Sequence, residues 1–164
     1  MTHQAFTSTL EGRVAGLSYE KGLQLAITIS KELFPDYQHF FEQHAWGDPD
    51  LLAKGIALCE LSTCKQLYPE EIKTLAAQVY GVAPDTEDFG DWDGSYALNA
   101  ATSVCDALNY LIDRDPSHLI AIGTYYTDTI DFKLHELGIK DEAEIGNHPR
   151  MHAARQKLLS LSIP

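Results

Sequence analysis

The sequence predicts an all-α protein, a single-domain bundle of about seven to eight helices over residues 1–164 with no sheet. Three observations lead to this prediction. Apolar residues recur at spacings of three and four along most of the chain. Prolines and glycines stand where the periodic segments begin and end. No segment alternates apolar and polar residues for long, and the chain has only four valines, so strands are not supported.

Proline and glycine positions divide the chain into helices in order. Proline suits the first helical turn because its missing N–H would have no partner there. Asp48, which precedes Pro49, and Asp115 are suited to cap the helices that follow them. Pro35 is interpreted in the same way, as the start of a short helix. The predicted helices cover residues 4–15, 18–33, 35–45, 49–66, 69–80, 94–113, 116–137 and 148–161, with a short turn at 141–145.

The clearest apolar stripes lie on the two long helices in the second half of the chain. Each stripe predicts one face turned to the core. The stripe of helix 94–113 consists of Leu98, Ala101, Cys105, Leu108 and Ile112, and that of helix 116–137 of Leu119, Ile122, Tyr126, Ile130, Leu134 and Leu137.

The chain is strongly acidic, with 24 Asp and Glu residues against 12 Lys and Arg residues and a formal net charge of −12. This charge repels phosphate backbones and anionic membrane surfaces, so nucleic acids and membranes are not expected as partners. The acids concentrate in the middle, because residues 66–113 hold nine of them and a single base, Lys73. Arg150, Arg155 and Lys157 lie on the last helix, where we expect a solvated face.

The cysteine count and the absence of known catalytic motifs indicate the cellular compartment and limit the reactions to be expected. Three cysteines at no recurring spacing argue against a disulfide framework and for a reducing compartment, and Cys59 and Cys64 are expected to be small core fillers. No signal peptide or long apolar stretch is recognised, so a cytoplasmic location is expected. The chain has no phosphate-binding loop, dinucleotide fingerprint or nucleophile elbow, which favours a non-enzymatic role without a cofactor.

The segment from Pro84 to Gly94 is the most conspicuous candidate site. It carries five acids within nine residues, with Phe89 and Trp92 among them. A calcium loop with Gly94 at its sixth position would begin at Phe89, which is no ligand. Two interpretations remain: an acidic epitope with exposed aromatics that docks a basic partner, or a loop whose aromatics close the core while the acids are solvated. The candidate contact residues are Asp85, Glu87, Asp88, Phe89, Asp91, Trp92 and Asp93.

A second group, on the predicted helix 116–137, has the spacing of a metal-binding face. Asp128, Asp131 and His135 fall on one side of this helix, nearly opposite its apolar stripe. A solvated face is the favoured interpretation, because a metal would need further ligands from another helix or another subunit. His148 and His152 are the candidates for such ligands, although they lack the glutamate of a metalloprotease helix. No metal is therefore expected.

The histidines near residue 40 give no metal-binding pattern. His39 and His44 show no ligand spacing, and seven scattered histidines supply no clear third ligand.

Two blocks of the sequence resemble a known family. The first block is Leu33–Phe41 followed by Trp46–Asp48, and the second is Pro84–Phe89 running into Tyr96–Ala101. Both are similar to blocks of the bacterial YjaG-like proteins, domain-of-unknown-function family 416. The resemblance covers most of the chain and implies an all-helical single domain in the bacterial cytoplasm. It supplies no catalytic residues, and genome context links such proteins to histidine-kinase signalling.

Three functional hypotheses follow. The first is a non-enzymatic accessory factor, in bacterial signalling, that binds a basic protein through residues 85–93. The second is an immunity or antitoxin-like protein that binds a basic toxin by the same complementarity of charge. The third is a metal-dependent helical hydrolase that uses Asp128, Asp131 and His135 with His148 or His152. An apolar helix face could also bury a homodimer contact.

Overall fold

Eight α-helices and no strand build the fold, which confirms the predicted all-α class and the number of helices. A computed structural model describes all 164 residues. No helix combines the length and the apolar character that a membrane crossing requires. The helices are α1 (His3–Ala15), α2 (Tyr19–His44), α3 (Pro49–Leu61), α4 (Pro69–Gly81), α5 (Trp92–Asp113), α6 (Ser117–Glu136), α7 (Glu142–Asn147) and α8 (Pro149–Leu161).

Helix α2 continues through Pro35, so the predicted break between two helices at this point is wrong. Pro35 is exposed, and the backbone carbonyl that loses its in-helix partner is on the same exposed turn. The buried face continues across the proline, because Leu33, Tyr37 and Phe40 are each at most 2% exposed. A proline inside a helix costs about 3 kcal/mol, whereas each of these buried side chains contributes about 1.5–3 kcal/mol. Packing therefore outweighs the local cost.

Helix α5 is the central helix and packs against α2, α3, α4 and α6. Its burial extends well beyond the predicted stripe. Leu98 and Ile112 of that stripe are only partly buried, whereas Ala97, Ala100 and Val104 are at most 1% exposed. The small alanine side chains let neighbouring helices approach closely, so α5 is covered on most of its circumference.

Two buried polar contacts join α5 to its neighbours. The hydroxyl oxygens of Ser30 on α2 and Ser103 on α5 lie 3.0 Å apart. Asn99 on α5 donates from its side-chain amide to the hydroxyl of Thr129 on α6 over 3.1 Å. Each polar group thus has a partner inside the core, as buried polar groups require.

One phenol fixes the end of α2 to the two segments that follow. Tyr37 donates its hydroxyl proton to the carbonyl of Val82 over 2.6 Å and accepts the amide of Asp48 over 3.1 Å. Gly47 lies against this hydroxyl with φ +99°, so a side chain at this position would be strained and would collide with Tyr37. The start of α3 and the beginning of the α4–α5 loop are therefore held at the same point.

The three cysteines have different surroundings. Cys59 and Cys105 are buried, and burial raises the pKa of each thiol to about 12. Cys64 is exposed just after α3, so its expected role as a core filler is wrong. It lies in the turn after Leu61, where the apolar face of α3 has ended.

Candidate functional site

The acidic loop, which we define as residues 85–93, is shaped by two of its own carboxylates. Asp85 Oδ1 accepts the backbone amide of Glu87 over 2.8 Å and closes a turn. Asp91 Oδ1 accepts the amide of Gly94 over 2.9 Å and caps α5. Glu87 and Asp88 are exposed, between these two fixed points. The loop is thus a structured segment that presents carboxylates to solvent.

The two aromatic residues of the loop have different positions. Phe89 is partly buried, and its ring centroid lies 5.1 Å from those of Phe40 and Trp46. Trp92 is 40% exposed and stacks on His135 of α6 at 6.4 Å between ring centroids. Phe89 therefore anchors the loop to the core, whereas Trp92 lies at the surface beside the acids. Phe89 thus packs as the core-closing interpretation expects, whereas docking of a basic partner stays a prediction.

Two histidines of α2 contact the loop. His44 Nε2 lies 2.8 Å from Asp91 Oδ2, and His39 Nε2 lies 3.5 Å from Asp93 Oδ2. One side-chain ligand atom from each of His44, Asp91 and Asp93 lies within 4.8 Å of the other two. Spacing could not show this group, because His44 and Asp91 are 47 residues apart. The one available signal was indirect: His44 lies between the two parts of the first block that carries the family resemblance, and Asp91 and Asp93 lie between the two parts of the second.

The α6 residues expected to form a solvated face are half-buried, so that expectation holds only in part. The first residue of α1, His3, and residues of α7 and α8 line the space on this side of α6. Burial raises the pKa of the Asp128 carboxyl, and the nearby Asp131 carboxylate raises it further. His135 Nε2 lies 3.7 Å from Asp131 Oδ1. We call this region the α6 groove; it has a volume of about 350 Å³ and its polar lining includes Asp128, Asp131, His135, His3, Glu142 and Arg155.

Arg155 of α8 is a buried residue of the α6 groove, although its helix was expected to present it to solvent. It is 7% exposed and donates from Nη1 to the carbonyl oxygens of Met1 and Gly146, over 3.1 and 3.3 Å. Its guanidinium also lies over the ring of Phe6, 5.6 Å from the centroid. This one side chain therefore connects the amino terminus, α7 and α8.

His148 and His152 do not complete a metal site with the α6 residues. His148 Nδ1 accepts the amide of Arg150 over 3.2 Å and caps α8. His152 is exposed, and neither histidine lines the α6 groove. Of the five residues in the hydrolase hypothesis, the structure brings together only Asp128, Asp131 and His135.

Comparisons with known proteins agree with the fold. A family model described as a protein of unknown function (DUF416) matches residues 9–159. No curated protein matches the chain. Among solved structures, the chain is similar to a DUF416 family protein from Shewanella baltica OS155, with a TM-score of 0.79 and 19% identity over 92% of this chain and 80% of that one. The structural similarity supports the fold, and the family match over most of the sequence shows that this chain belongs to the DUF416 family.

Proposed function

We propose that the protein binds a basic protein partner through the acidic loop and the tryptophans beside it. The observation that carries this proposal is the coincidence of carboxylates and partly exposed indole rings on one surface. Trp92 is 40% exposed within the loop, and Trp46, which packs on Phe89, is 37% exposed. Tryptophan is enriched among the residues that dominate binding energy, and carboxylates around it suit a partner rich in Lys and Arg.

The electrostatics of the loop favour such a partner. Between residues 74 and 113 the sequence contains no Lys or Arg. The nearby base of α6, Lys133, is held by Asp36, with its Nζ 2.8 Å from both carboxylate oxygens. Surface charges interact over a Debye length of about 8–10 Å, so a local excess of acid steers a partner more than the net charge of the chain does.

The proposal identifies the surface that binds the partner, and this surface is the same in two of the hypotheses drawn from the sequence. A signalling accessory factor and an immunity-like protein would both present this loop to a basic protein and would differ only in the partner. The proposal further includes a cytoplasmic location and one domain over residues 1–164. A single cluster of 32 buried hydrophobic residues, drawn from every helix except α7, supports the one-domain organisation.

A matched pair of charge reversals tests the surface. A partner would be identified by affinity capture from cell extract, and its affinity measured by calorimetry with both proteins purified. We expect Glu87→Lys/Asp88→Lys to weaken binding by about tenfold or more, with a larger loss at low salt. The control, Glu11→Lys/Glu71→Lys, makes the same change in net charge at exposed positions outside the loop.

The two variants separate the possible outcomes. An unchanged affinity of the control supports the loop as the contact surface. Equal losses in both variants would show that only net charge matters, and an unchanged affinity of the loop variant would reject the proposal. Circular dichroism melting of each variant checks that the fold is intact.

A further inference from the structure

The histidines and carboxylates where α2 meets the acidic loop suggest a second property of this surface. We propose that His44, Asp91 and Asp93 form a site for a divalent transition-metal ion such as Zn²⁺, with His39 as a neighbouring fourth donor. The proposal does not depend on the docking function, because the ion would bind to the isolated chain.

The distances between the donor atoms fit one ion. Zn²⁺ lies about 2.0–2.2 Å from nitrogen and oxygen ligands, so two ligands of one tetrahedral ion are about 3.3–3.6 Å apart. His44 Nε2 and Asp91 Oδ2 are 2.8 Å apart, and the donor atoms of His44, Asp91 and Asp93 all lie within 4.8 Å of one another. His39 Nε2 lies 3.5 Å from Asp93 Oδ2. Shifts within the range of side-chain rotations would bring the donors around one point.

Two of the ligands are held in position before any ion arrives. The His44 ring packs against Phe40 at 4.7 Å and Phe89 at 5.2 Å between centroids, which fixes its orientation. Asp91 uses Oδ1 to cap α5, so its Oδ2 is the oxygen directed at His44. Supporting contacts of this kind orient metal ligands and raise metal affinity.

The chemistry of the donors selects the class of ion. Imidazole nitrogens suit Zn²⁺, Cu²⁺ and Ni²⁺, whereas Ca²⁺ and Mg²⁺ prefer oxygen ligands alone. His44 and Asp93 are partly buried and Asp91 is exposed, which leaves an entry path for the ion from the side of Asp91. The affinity is expected to increase from Mn²⁺ to Zn²⁺ and Cu²⁺, as it does for most sites with such donors.

The chain contains its own optical probe for this site. It has two tryptophans, and both flank the proposed ligands: Trp92 stands between Asp91 and Asp93 in the sequence, and Trp46 packs on Phe89. An open-shell ion such as Cu²⁺ bound here should quench tryptophan fluorescence. Zn²⁺ has a filled d shell and should not quench. Because Cu²⁺ binds such donors more tightly than Zn²⁺ does, a large excess of Zn²⁺ should be needed to displace Cu²⁺ and restore the signal.

The test uses the full chain without a histidine tag, after treatment with a chelator. We expect calorimetry to show one Zn²⁺ bound per chain, and Cu²⁺ to quench fluorescence with the same stoichiometry. Asp93→Asn and His44→Gln should each weaken Zn²⁺ binding by about tenfold or more. The matched controls Asp131→Asn, in the α6 groove, and His152→Gln, on α8, should bind Zn²⁺ as the wild type does.

The proposal is overturned if the wild type binds no Zn²⁺, or if Asp93→Asn and His44→Gln bind it as tightly as the wild type. A loss of binding in Asp131→Asn would move the site to the α6 groove and would also overturn it. Asp93 lies at the surface turn of α5 and has no role in the core, so its variant stays informative if His44→Gln proves unstable. No partner is present in these measurements, so failure here leaves the docking proposal to its own test.

Discussion

The acidic loop and the α6 groove contain the same residue types but arrange them differently. In the loop, carboxylates of one segment meet histidines of another, and Nε2 of His44 lies 2.8 Å from Asp91. In the groove, Asp128, Asp131 and His135 share one helix and line a common space, but their ligand atoms do not form a close group of three. A buried arginine, Arg155, lies with them.

Spacing along one helix is therefore a weak guide to a metal site. Side chains at i and i+4 point in the same direction from positions about 5–6 Å apart, so they run side by side. Side chains on two elements that face each other can converge on one point. On α6, His135 and Asp131 come within 3.7 Å of each other but Asp128 does not complete a close group of three, whereas His44 and Asp91 had no spacing and are 2.8 Å apart.

The largest expected effect in this comparison is the loss of the loop's aromatic anchor. Phe89→Ala removes the ring that packs against Phe40, Trp46 and His44, and should lower the free energy of unfolding by about 2–3 kcal/mol. Urea denaturation measures this. The control Trp92→Ala, at a 40% exposed position, should lose less than half as much. Equal losses would show that the loop is not anchored by Phe89.

A smaller pair of effects, opposite in sign, should distinguish the two sets of carboxylates. Asp91→Ala removes the cap of α5 and should lower the free energy of unfolding by about 1 kcal/mol.

The Asp128 carboxyl has a pKa raised by burial and by Asp131. The folded state therefore favours the protonated carboxyl, and stability falls as pH rises through that pKa. Asp128→Asn should therefore raise stability at neutral pH, by less than about 1 kcal/mol because the site is partly solvated. Thermal melting in the presence of a chelator measures both, and destabilisation by Asp128→Asn would contradict the assigned environment.

The smallest expected effect comes from a third histidine–carboxylate cluster, between α5 and α6. His118 Nδ1 lies 2.7 Å from Asp106 Oδ1, and its Nε2 lies 3.0 Å from Asp113 Oδ2. Burial acts to lower the pKa of His118, but hydrogen bonds to Asp113 and Asp106 outweigh it and raise this pKa above its usual 6.5. The two ring nitrogens face different carboxylates, so we assign this cluster a purely structural role.

The pH dependence of the cluster follows from the sign of this shift. Its contribution to stability is complete below pH 6.5, the usual value, and is lost as pH rises through the higher pKa of the folded state. The wild type should melt at a higher temperature than His118→Gln at about pH 6, and this difference should be smaller at about pH 9. The corresponding change in the free energy of unfolding is expected to be less than about 1 kcal/mol. A gap that widens with pH would reverse the assignment.

Much of the fold could be predicted because local rules determine helix ends. Asp48 caps α3 before Pro49 as expected, and Asp115 Oδ1 accepts the amide of Ser117 at the start of α6. The local rule failed at Pro35, where the buried face of α2 continues on both sides of the proline. It failed again at Arg155, whose burial depends on contacts with Met1 and Gly146 and not on its own helix.

The candidate site was predictable only in part, for the same physical reason. The composition of residues 85–93 identified the loop, and the alternation of acids with Phe89 and Trp92 indicated both packing and exposure. Its partners on α2, His39 and His44, are fixed by tertiary packing between distant segments, which no periodicity within one helix can encode. The partial burial of Asp128 and Asp131 could not be predicted for the same reason, because it depends on tertiary contacts of α6 and not on its sequence pattern.

The hydroxyl of Tyr37 has a consequence for how this end of the molecule opens. It bonds both the first turn of α3, through Asp48, and the segment that leads into the acidic loop, through Val82. Breaking this one group's contacts would release two segments at once, so we expect local unfolding here to be cooperative. In a hydrogen-exchange measurement, the amides around residues 46–51 and 82–94 should behave as one unit with a shared opening free energy.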